Sequence, residues 1–320
     1  MFDIILSEIA AVLLFFYAMH RFSKMIMRIN IHKLKKFITK LTKSKIQSLS
    51  IGIIGSAFMQ SNKAVSSIAL TLVNAGVLSG ILIAPILFGA AIGASSTAFL
   101  VSCKFKSLEE ILIICGAILK KTKYKNVGRI IFYLGLLLFS LELMTHATSV
   151  LKDNPGFQKI FTMAQNPLTL FAIGTLSSLV LQSGALAISI ITILVECGAI
   201  SFYASTCLGI GIIIGSTLDL IIVVIAMNND CKKVCFENII FLTISAMIIL
   251  FFAPYFTQIM THFTNVGIGF AVSHLIARIV VSMFGMLMFY MFIKNKEIII
   301  KHTNNRSKRI QENYHTNIKI

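Results

Sequence analysis

The sequence contains one long apolar segment twice, at a constant offset of 122 residues that carries Gln60 onto Gln182. The matching positions run without a gap, and they are Gly52, Ser56, Gln60, Ser61, Gly76, Ser79, Gly89 and Gly93 against Gly174, Ser178, Gln182, Ser183, Gly198, Ser201, Gly211 and Gly215. Glycine, serine and glutamine inside duplicated apolar sequence are typical of secondary transporters built from two halves, with the binding site where the halves meet. We therefore expect function to lie in the paired segments.

The composition places the chain in a lipid bilayer. Hydrophobic residues make up 57% and charged residues 13%, with a mean hydropathy of +0.87. A soluble domain is about 45–50% apolar and about 25% charged, so this composition excludes an ordinary soluble fold. Spans need about 17–25 apolar residues, and the sequence predicts ordinary transmembrane helices over Ile4–Met19, Gly128–Val150, Phe236–Met260 and Phe270–Ile293.

Two longer apolar tracts, Ile51–Ser102 and Phe171–Met227, are interrupted by Gly, Ser, Thr, Gln and Pro. Each tract predicts a re-entrant hairpin followed by a broken span. The segment Ile111–Leu119 is too short to span unless its flanks contribute. The predicted fold is an all-α polytopic membrane protein with two inverted repeats. Residues 1–127 form the first repeat, residues 128–293 hold the second repeat plus a final helix, and residues 294–320 form a basic tail.

The charges lie mainly in the predicted loops. The chain has 29 Lys and Arg against 12 Asp and Glu, a net charge of +17. By the positive-inside rule, the basic stretches at 21–45, 120–129 and 294–319 are cytoplasmic, whereas Asp153–Gly156 reads as external. A charge excess confined to loops argues against a nucleic-acid partner, and it predicts a multi-pass protein of the inner (cell) membrane.

These assignments make the first spans of the two repeats antiparallel, which is the arrangement of an inverted repeat. The N-terminus is expected outside and the C-terminus in the cytoplasm. Lys104 and Lys106 fit this topology poorly, because counting the membrane crossings places them outside. The start Met1-Phe2-Asp3 lacks a positive charge, so we expect an uncleaved first span rather than a signal peptide.

Two basic segments have separate predictions. In the first loop, Ile31, Leu34, Ile38 and Leu41 recur at helical spacing among lysines. This pattern predicts an amphipathic helix on the anionic inner leaflet, with a calmodulin-like or nucleic-acid-binding arm as the alternative. The tail after Lys294 loses its apolar content and is expected to be a short flexible extension.

Neither cysteines nor histidines suggest an enzyme or a metal site. The six cysteines have no paired spacing that frames a metal site, and the seven histidines are interpreted as lying in loops and chain ends. No HExxH-like pair occurs, so neither an intramembrane protease nor a metalloenzyme is indicated. No catalytic residue and no cofactor are expected.

The paired motifs Gln60-Ser61-Asn62-Lys63 and Gln182-Ser183-Gly184-Ala185 place an amide and a hydroxyl at matching points of both halves. At bilayer depth such groups need partners or a ligand, because an unsatisfied polar group there costs several kcal/mol. They can donate to an oxyanion, and their oxygens can coordinate a small hard cation. Backbone amides at the ends of broken helices add a positive dipole aimed at an anion.

Downstream of each motif comes a Gly-x-x-x-Gly segment followed by hydroxyls. The predicted cavity hydroxyls are Ser95, Ser96, Thr97, Ser216 and Thr217. Glycines permit close backbone approach or unwinding, and the hydroxyls can then line the same cavity. The alternative is that these small residues serve only helix packing, which the duplication and the paired glutamines make less favoured.

Taken together, the two Gln-Ser motifs, the following Ala75-Gly76 and Cys197-Gly198 and the Gly-x-x-x-Gly segments resemble the type II sodium-dependent phosphate cotransporter family. The resemblance covers roughly Ile4–Met227 and includes Leu134-Gly135-Leu136-Leu137-Leu138-Phe139 and Leu13-Leu14-Phe15-Phe16. It implies an inverted-repeat bundle that binds phosphate and sodium at its centre. Because the chain stops soon after its last predicted span, we expect a short member without the cytosolic regulatory domain of many bacterial members.

The chain departs from that family's Gln-Ser-Ser-Ser motif. Asn62-Lys63 and Gly184-Ala185 stand where the second and third serines belong. The resemblance therefore implies phosphate or sodium contacts for Gln60, Ser61, Gln182 and Ser183, which together are the candidate sodium site. The resemblance also implies that the second and third serine hydroxyls help to hold the ions, and these hydroxyls are missing from both motifs of this chain.

Lys63 is the most unusual motif residue, because an ammonium at bilayer depth usually faces an aqueous cavity or an acid. It is either a tethered cation that replaces bound sodium, or a side chain that reaches cytosolic water. The acids within the predicted spans are Glu142, Glu196 and Asp219. Asp219 is a candidate cation ligand, proton relay or partner of Lys63, with a helix-end carboxylate as the alternative. Glu142 and Glu196 are interpreted as interfacial.

The predicted function is secondary transport, with sodium-coupled symport of inorganic phosphate by alternating access as the first hypothesis. One alternative is a diverged transporter of another small anion, coupled to protons or uncoupled. Another is a non-transporting membrane sensor or partner subunit that kept the fold. Phosphate, sodium and the lipid bilayer are the expected partners.

Overall fold

The computed structural model describes residues 2–41, 44–76, 78, 80–103, 107–151 and 166–317. Within these ranges the protein is all helical and contains no strand. The helices are α1 Phe2–Leu41, α2 Lys45–Met59, α3 Asn62–Asn74, α4 Gly80–Gly93, α5 Ser96–Ser102, α6 Leu108–Leu119, α7 Lys125–Leu151, α8 Pro167–Val180, α9 Gly184–Glu196, α10 Phe202–Leu218, α11 Leu220–Val224, α12 Asn229–Leu250, α13 Ala253–Thr261 and α14 Val266–Asn317.

Among the described residues, six segments are long and apolar enough to cross a membrane, and they make the fold polytopic. They are Leu6–Ile26, Leu82–Ser102, Lys125–His146, Phe202–Val224, Asn229–Leu250 and Val266–Lys294. The expected straight helix over Phe236–Met260 is wrong: α12 ends at Leu250, and α13 begins at Ala253 with Pro254 in its first turn. Proline fits a first helical turn but not a helix interior, which explains the break.

The expected hairpins are α2–α3 and α8–α9, and their tips have the same backbone geometry. Gln60 and Gln182 both have positive φ, 53° and 48°, at the ends of α2 and α8. Ser61 and Ser183 then cap α3 and α9 with φ of −154° and −153°. The far ends of α3 and α9 match as well, because Gly76 and Gly198 adopt φ of 69° and 72°.

The same glycine contacts hold each hairpin to the helix that follows it. A Cβ on Gly52 of α2 would overlap the carbonyl oxygen of Ile86 in α4, and a Cβ on Gly174 of α8 would overlap that of Leu208 in α10. In the same way, a Cβ on Gly89 would overlap the carbonyl oxygen of Leu49, and a Cβ on Gly211 would overlap the carbonyl oxygen of Phe171. These glycines let the two backbones touch, so the duplication in sequence is a duplication of helix packing.

Where the structure describes side chains, the buried apolar residues form two clusters. The larger one surrounds α3, α4, α10, α12 and α14. The smaller one joins α1 to α7 through Phe15 and Met144, and it also receives Leu186 and Ile193 from α9. The two helices that begin the two copies, α1 and α7, therefore pack directly on each other.

Two helices extend beyond the predicted spans. The basic segment predicted to lie on the membrane surface is continuous with the first span in α1, with no turn between them. The tail expected to be flexible is helical in α14 as far as Asn317. Extending an existing helix costs less than nucleating one, and neither extension contains proline or glycine.

Several predictions fall on residues outside the described ranges. These are Ser79, Lys104, Lys106 and the external stretch Asp153–Gly156. The side chains of the amphipathic pattern from Ile31 to Leu41 and those of the tail after Lys294 are likewise not described. The proposed boundaries at residues 127, 128, 293 and 294 stay predictions.

Candidate functional site

A cavity of about 700 Å³ lies where the two hairpin tips meet. It brings together most of the residues singled out in the sequence, namely Gln60, Ser61, Asn62, Lys63, Gln182, Ser183, Ser216 and Asp219. Both tips therefore contribute to one space, although they are far apart in the chain. Helix α1 adds His20 and Lys24, and α14 adds Arg278.

The N-termini of α3 and α9 both lie at this cavity. Ser61 Oγ accepts a hydrogen bond from the amide of Ala64 at 3.2 Å, and Ser183 Oγ accepts one from the amide of Leu186 at 3.1 Å. Each cap uses an oxygen lone pair and leaves the hydroxyl hydrogen available as a donor. Two helix N-termini facing one space provide partial positive charge without a charged side chain.

The two glutamines are held differently. Gln60 Nε2 donates to the Ala57 carbonyl at 2.8 Å and to Ser96 Oγ at 3.0 Å, while Gln60 Oε1 accepts from Thr97 Oγ1 at 2.8 Å. Gln182 is exposed at the cavity. The first amide is therefore fixed to the break between α4 and α5, and the second faces the open space.

The predicted cavity hydroxyls divide into two groups. Ser216 lines the cavity, and Ser96 and Thr97 act on it through Gln60. Ser95 and Thr217 are buried and donate to the carbonyls of Ile92 and Ile213 within their own helical turns, at 2.7 Å and 2.9 Å. These two equivalent residues do not line the cavity.

Behind each tip lies a buried polar group with no partner among the described residues. These groups are Ser56 Oγ, the equivalent Ser178 Oγ, and Asn62 Nδ2. Asn62 Oδ1 accepts from Ser66 Oγ at 3.0 Å, so only its amide nitrogen is left over. Hydroxyl oxygens at equivalent depth in both halves are ligands suited to a small hard cation.

The charges of the cavity are mostly positive. Lys24, Lys63 and Arg278 line it together with a single described carboxylate, Asp219. Lys63 is the charged neighbour that acts on Asp219. An excess of cations in a partly enclosed space favours an anionic ligand.

Neither Lys63 nor Asp219 has a charged equivalent in the other copy of the repeat. At the offset of 122 residues, Lys63 corresponds to Ala185 and Asp219 corresponds to Thr97. One charge therefore arises in the first half and its opposite in the second, at non-equivalent positions. In the structure both side chains line the same cavity.

Arg278 and His274 were missed in the sequence, where histidines were placed in loops and ends. That interpretation is wrong for His274, which lies inside α14 and is 3% exposed. A signal was available, because histidine and arginine four residues apart in an apolar span share one helix face. Glu8 was missed among the membrane acids; it lies in α1 and accepts from Thr148 Oγ1 at 3.4 Å.

The other two acids of the predicted spans lie away from this cavity. Glu142 is well inside α7, rather than at a helix end, and it lines a second cavity of about 380 Å³ with Glu109 and Glu110. Glu196 ends α9, and its carboxylate occupies the space that a side chain on Gly267 would need.

The cavity extends along one hairpin only. On α3 it follows a helical face through Ala64, Ser67, Ile68 and Thr71. On α9 it touches only Gly184 and Ala185 at the tip. The equivalent face of α9 is packed instead, with Leu186 and Ile193 in the cluster between α1 and α7 and Ser189 fully buried. Access to the tips is therefore one-sided.

Comparison with known proteins gives a consistent result. The sequence profile described as "Na+/Pi-cotransporter" matches residues 14–146. The chain is 26% identical over 261 residues to "Putative inorganic phosphate export protein YjbB" of Escherichia coli O157:H7, covering 80% of this chain and 48% of that protein. The protein of the same name from Salmonella typhimurium is 26% identical over 251 residues, covering 77% of this chain and 46% of the relative.

The chain thus spans about half the length of the curated relatives that it matches. No solved structure matches it. The profile match covers α1 from residue 14 onward, the first hairpin with its Gln-Ser motif, and most of α7. The paired motifs and these matches agree, and residues 14–146 of the chain are similar to the Na+/Pi-cotransporter family.

Proposed function

We propose that this protein is a secondary transporter of inorganic phosphate in the cell membrane and that it works by alternating access. The observation that carries the proposal is the meeting of two serine-capped helix N-termini with an excess of cations in one cavity. Hydroxyl donors, helix dipoles and fixed cations are groups that recognise a tetrahedral oxyanion. The match to the Na+/Pi-cotransporter profile and the name of the relatives support phosphate as the anion.

The one-sided cavity supports alternating access. Its open face runs along α3 towards Lys24, on the side that the positive-inside rule assigns to the cytoplasm. The repeated hairpin geometry offers a second state, in which the α9 face opens and the α3 face closes. In this proposal the cavity opens to the cytoplasm. The N-terminus lies outside the cell and the C-terminus lies in the cytoplasm.

Sodium is the first candidate for the coupling ion. The tip residues Gln60, Ser61, Gln182 and Ser183 supply oxygen atoms, and the unpaired hydroxyls of Ser56 and Ser178 lie just behind them. Sodium near these oxygens would add positive charge beside the anion. Coupling would follow, because each ion would bind better when the other is present.

A second candidate is transport without sodium, and the Lys63–Asp219 pair favours it. A tethered ammonium near the substrate supplies the charge that a bound cation otherwise provides. Asp219 could then take up and release a proton as the cavity changes sides. The two candidates predict different driving gradients for the same anion.

Transport by the purified chain in proteoliposomes distinguishes these candidates. Radiolabelled phosphate should cross the membrane in both directions, and efflux should be measured as well as uptake because the relatives are named for export. A requirement for a sodium gradient supports symport. Movement driven by a proton gradient, or unchanged in potassium, supports the Lys63–Asp219 mechanism. If neither phosphate uptake nor efflux exceeds that of empty vesicles, the transport proposal is contradicted and a sensor or partner role is favoured.

A further inference from the structure

The last apolar span places an arginine at the edge of the cavity, although this helix lies outside both copies of the repeat. Arg278 is 1% exposed and is the largest of the fully buried side chains. It nevertheless lines the cavity formed by the hairpin tips. A buried cation within a membrane span is costly and usually has a partner or a ligand.

In the described part of the chain, the hydrogen bonds of Arg278 go to neutral acceptors. Its Nε donates to His274 Nε2 at 2.8 Å, and Nη1 donates to the carbonyl of Ala91 at 2.6 Å. Among the residues that the structure describes, no carboxylate forms an ion pair with it. These two bonds use two of its five N–H donors, and neither goes to a described carboxylate.

His274 holds the guanidinium in place. Because its Nε2 accepts a hydrogen bond, the imidazole is neutral and carries its proton on Nδ1. The ring stacks on Phe270, with centroids 5.8 Å apart and planes inclined by 20°. Gly209 lies against both rings, because a Cβ there would come within 3.1 Å of His274 Nδ1 and 3.5 Å of Phe270 Cζ. The first copy has Leu87 at this position, so the second copy makes room for the histidine.

The carbonyl of Ala91 places the same guanidinium beside the first hairpin tip. Ala91 lies in α4 one turn before Ala94, which lines the cavity. Gln60, which lines the cavity from the tip, is hydrogen-bonded to Ser96 in the next turn. Arg278 therefore approaches the space between the two serine caps from a third direction.

We infer that Arg278 is an anion-binding residue of the cavity and that His274 is its positioning residue. Arginine presents N–H groups in a planar fork that matches two oxygens of a tetrahedral oxyanion, and lysine cannot reproduce this geometry. The inference rests on the proposed function for the identity of the anion, phosphate. The bound anion would supply the missing counter-charge, so a helix outside the repeats would contribute to specificity.

The test compares phosphate and sulfate binding to the purified full chain by calorimetry, together with phosphate uptake in proteoliposomes. Arg278→Gln should raise the Kd for phosphate roughly 10- to 100-fold, the loss expected for a charge-assisted hydrogen bond, and should raise KM more than it lowers kcat. Arg278→Lys should keep only part of the affinity. Arg129→Gln is the control, because Arg129 is exposed and lies outside the cavity.

Variants of His274 test the positioning role. His274→Gln keeps a hydrogen-bond acceptor and should stay within about 3-fold of the wild-type Kd, whereas His274→Leu should weaken binding about 10-fold. A purely structural role would lower the melting temperature of these variants equally with and without phosphate. It would leave the phosphate-induced shift in melting temperature unchanged.

The outcomes separate this inference from the proposed function. Normal phosphate binding and uptake by a folded Arg278→Gln protein would overturn the inference and leave the transporter proposal standing. If that variant does not fold, unchanged phosphate binding by His274→Leu overturns it in the same way. Arg278-dependent binding of sulfate without any binding of phosphate would support the anion site and contradict phosphate transport. Binding of neither anion by the wild-type protein would overturn both.

Discussion

At the residue scale, the two copies share their backbone geometry and differ in their chemistry. Gln60 is held by Ser96 and Thr97, whereas its equivalent Gln182 is exposed at the cavity. The reason lies in the sequence, because Leu218 and Asp219 stand where the first copy has Ser96 and Thr97. A repeat can thus keep its fold while individual positions acquire separate roles.

The pair Lys63 and Asp219 allows a direct test, since each residue can be changed to its own repeat equivalent. Lys63→Ala and Asp219→Thr should each lower thermal stability, because each leaves one charge without its counterpart in a low-dielectric site. The double variant should be more stable than the sum of the single effects predicts, with a coupling energy of about 0.5–3 kcal/mol. Thermal unfolding in detergent measures this cycle.

The control for this cycle is Lys24→Ala. Lys24 also lines the cavity, but Lys63 is the charged neighbour that acts on Asp219. Lys24→Ala combined with Asp219→Thr should therefore be additive within about 0.5 kcal/mol. Additivity of the Lys63 and Asp219 effects would contradict the charge pair.

At the element scale, each hairpin is fixed to the following helix by glycines that allow backbone contact. We predict that Gly52→Ala lowers the free energy of unfolding by about 1–3 kcal/mol, because its Cβ would overlap the Ile86 carbonyl oxygen and the backbone must move. Gly174→Ala should cost a similar amount, since it would meet Leu208 in the same way. Thermal or denaturant unfolding in detergent measures both.

Gly55→Ala is the matched control in the same helix. A Cβ there would meet only the methyl groups of Val65, the nearer at 3.3 Å, and side chains adjust more readily than backbone. Alanine also favours the helical state over glycine by up to about 1 kcal/mol. A loss as large for Gly55→Ala as for Gly52→Ala would contradict the special role of the contact glycines.

The hairpin faces predict a difference in chemical accessibility between equivalent positions. Ser67 of α3 lines the cavity, while its equivalent Ser189 of α9 is fully buried. In a protein whose exposed Cys103 and Cys115 are replaced by serine, Ser67→Cys should react quickly with a water-soluble thiol reagent. Ser189→Cys should react at least 10-fold more slowly in this state.

Alternating access adds a second expectation for the same pair of cysteines. Conditions that shift the protein towards the opposite-facing state should slow the reaction of Ser67→Cys and speed that of Ser189→Cys. Mass spectrometry of the labelled protein gives both rates. If no condition changes the two labelling rates in opposite directions, alternating opening of the α3 and α9 faces is contradicted.

At the scale of the whole molecule, α6 decides the topology. It has 12 residues and is about 18 Å long, shorter than the roughly 30 Å hydrocarbon core. It packs closely on α7, where added Cβ atoms on Gly116 and Gly128 would meet the backbone of the partner helix. If both basic stretches, 21–45 and 120–129, are cytoplasmic, α6 must return the chain across the membrane.

Reporter fusions test this crossing. A fusion after Ser102 should report an external location, and a fusion after Lys123 a cytoplasmic one. Alkaline phosphatase and green fluorescent protein, which are active on opposite sides of a bacterial inner membrane, give complementary signals. The same location at both points would overturn the inverted topology and with it the expected outside N-terminus.

Much of the architecture was predictable because bilayer constraints act locally. Apolar length predicts a span, and the recurrence of Gln60-Ser61 as Gln182-Ser183 predicted two equivalent hairpins whose tips the structure brings to one cavity. Helix breaks were less predictable: the break before α13 depends on where Pro254 falls relative to a helix start. Among the hydroxyls, Ser216 lines the cavity whereas Ser95 and Thr217 do not, because helical phase decides which side faces the cavity.

By itself, the sequence determined an all-helical membrane protein, its internal duplication and the polar residues at each hairpin tip. Local composition and spacing specify these features, because a bilayer requires satisfied backbone groups and tolerates few polar side chains. Only the tertiary structure decided that Lys63 and Asp219 share one cavity, that Gln60 is fixed while Gln182 is exposed, and that Arg278 reaches the cavity from α14. These relations join residues far apart in the chain, and they depend on how the helices pack rather than on any local pattern.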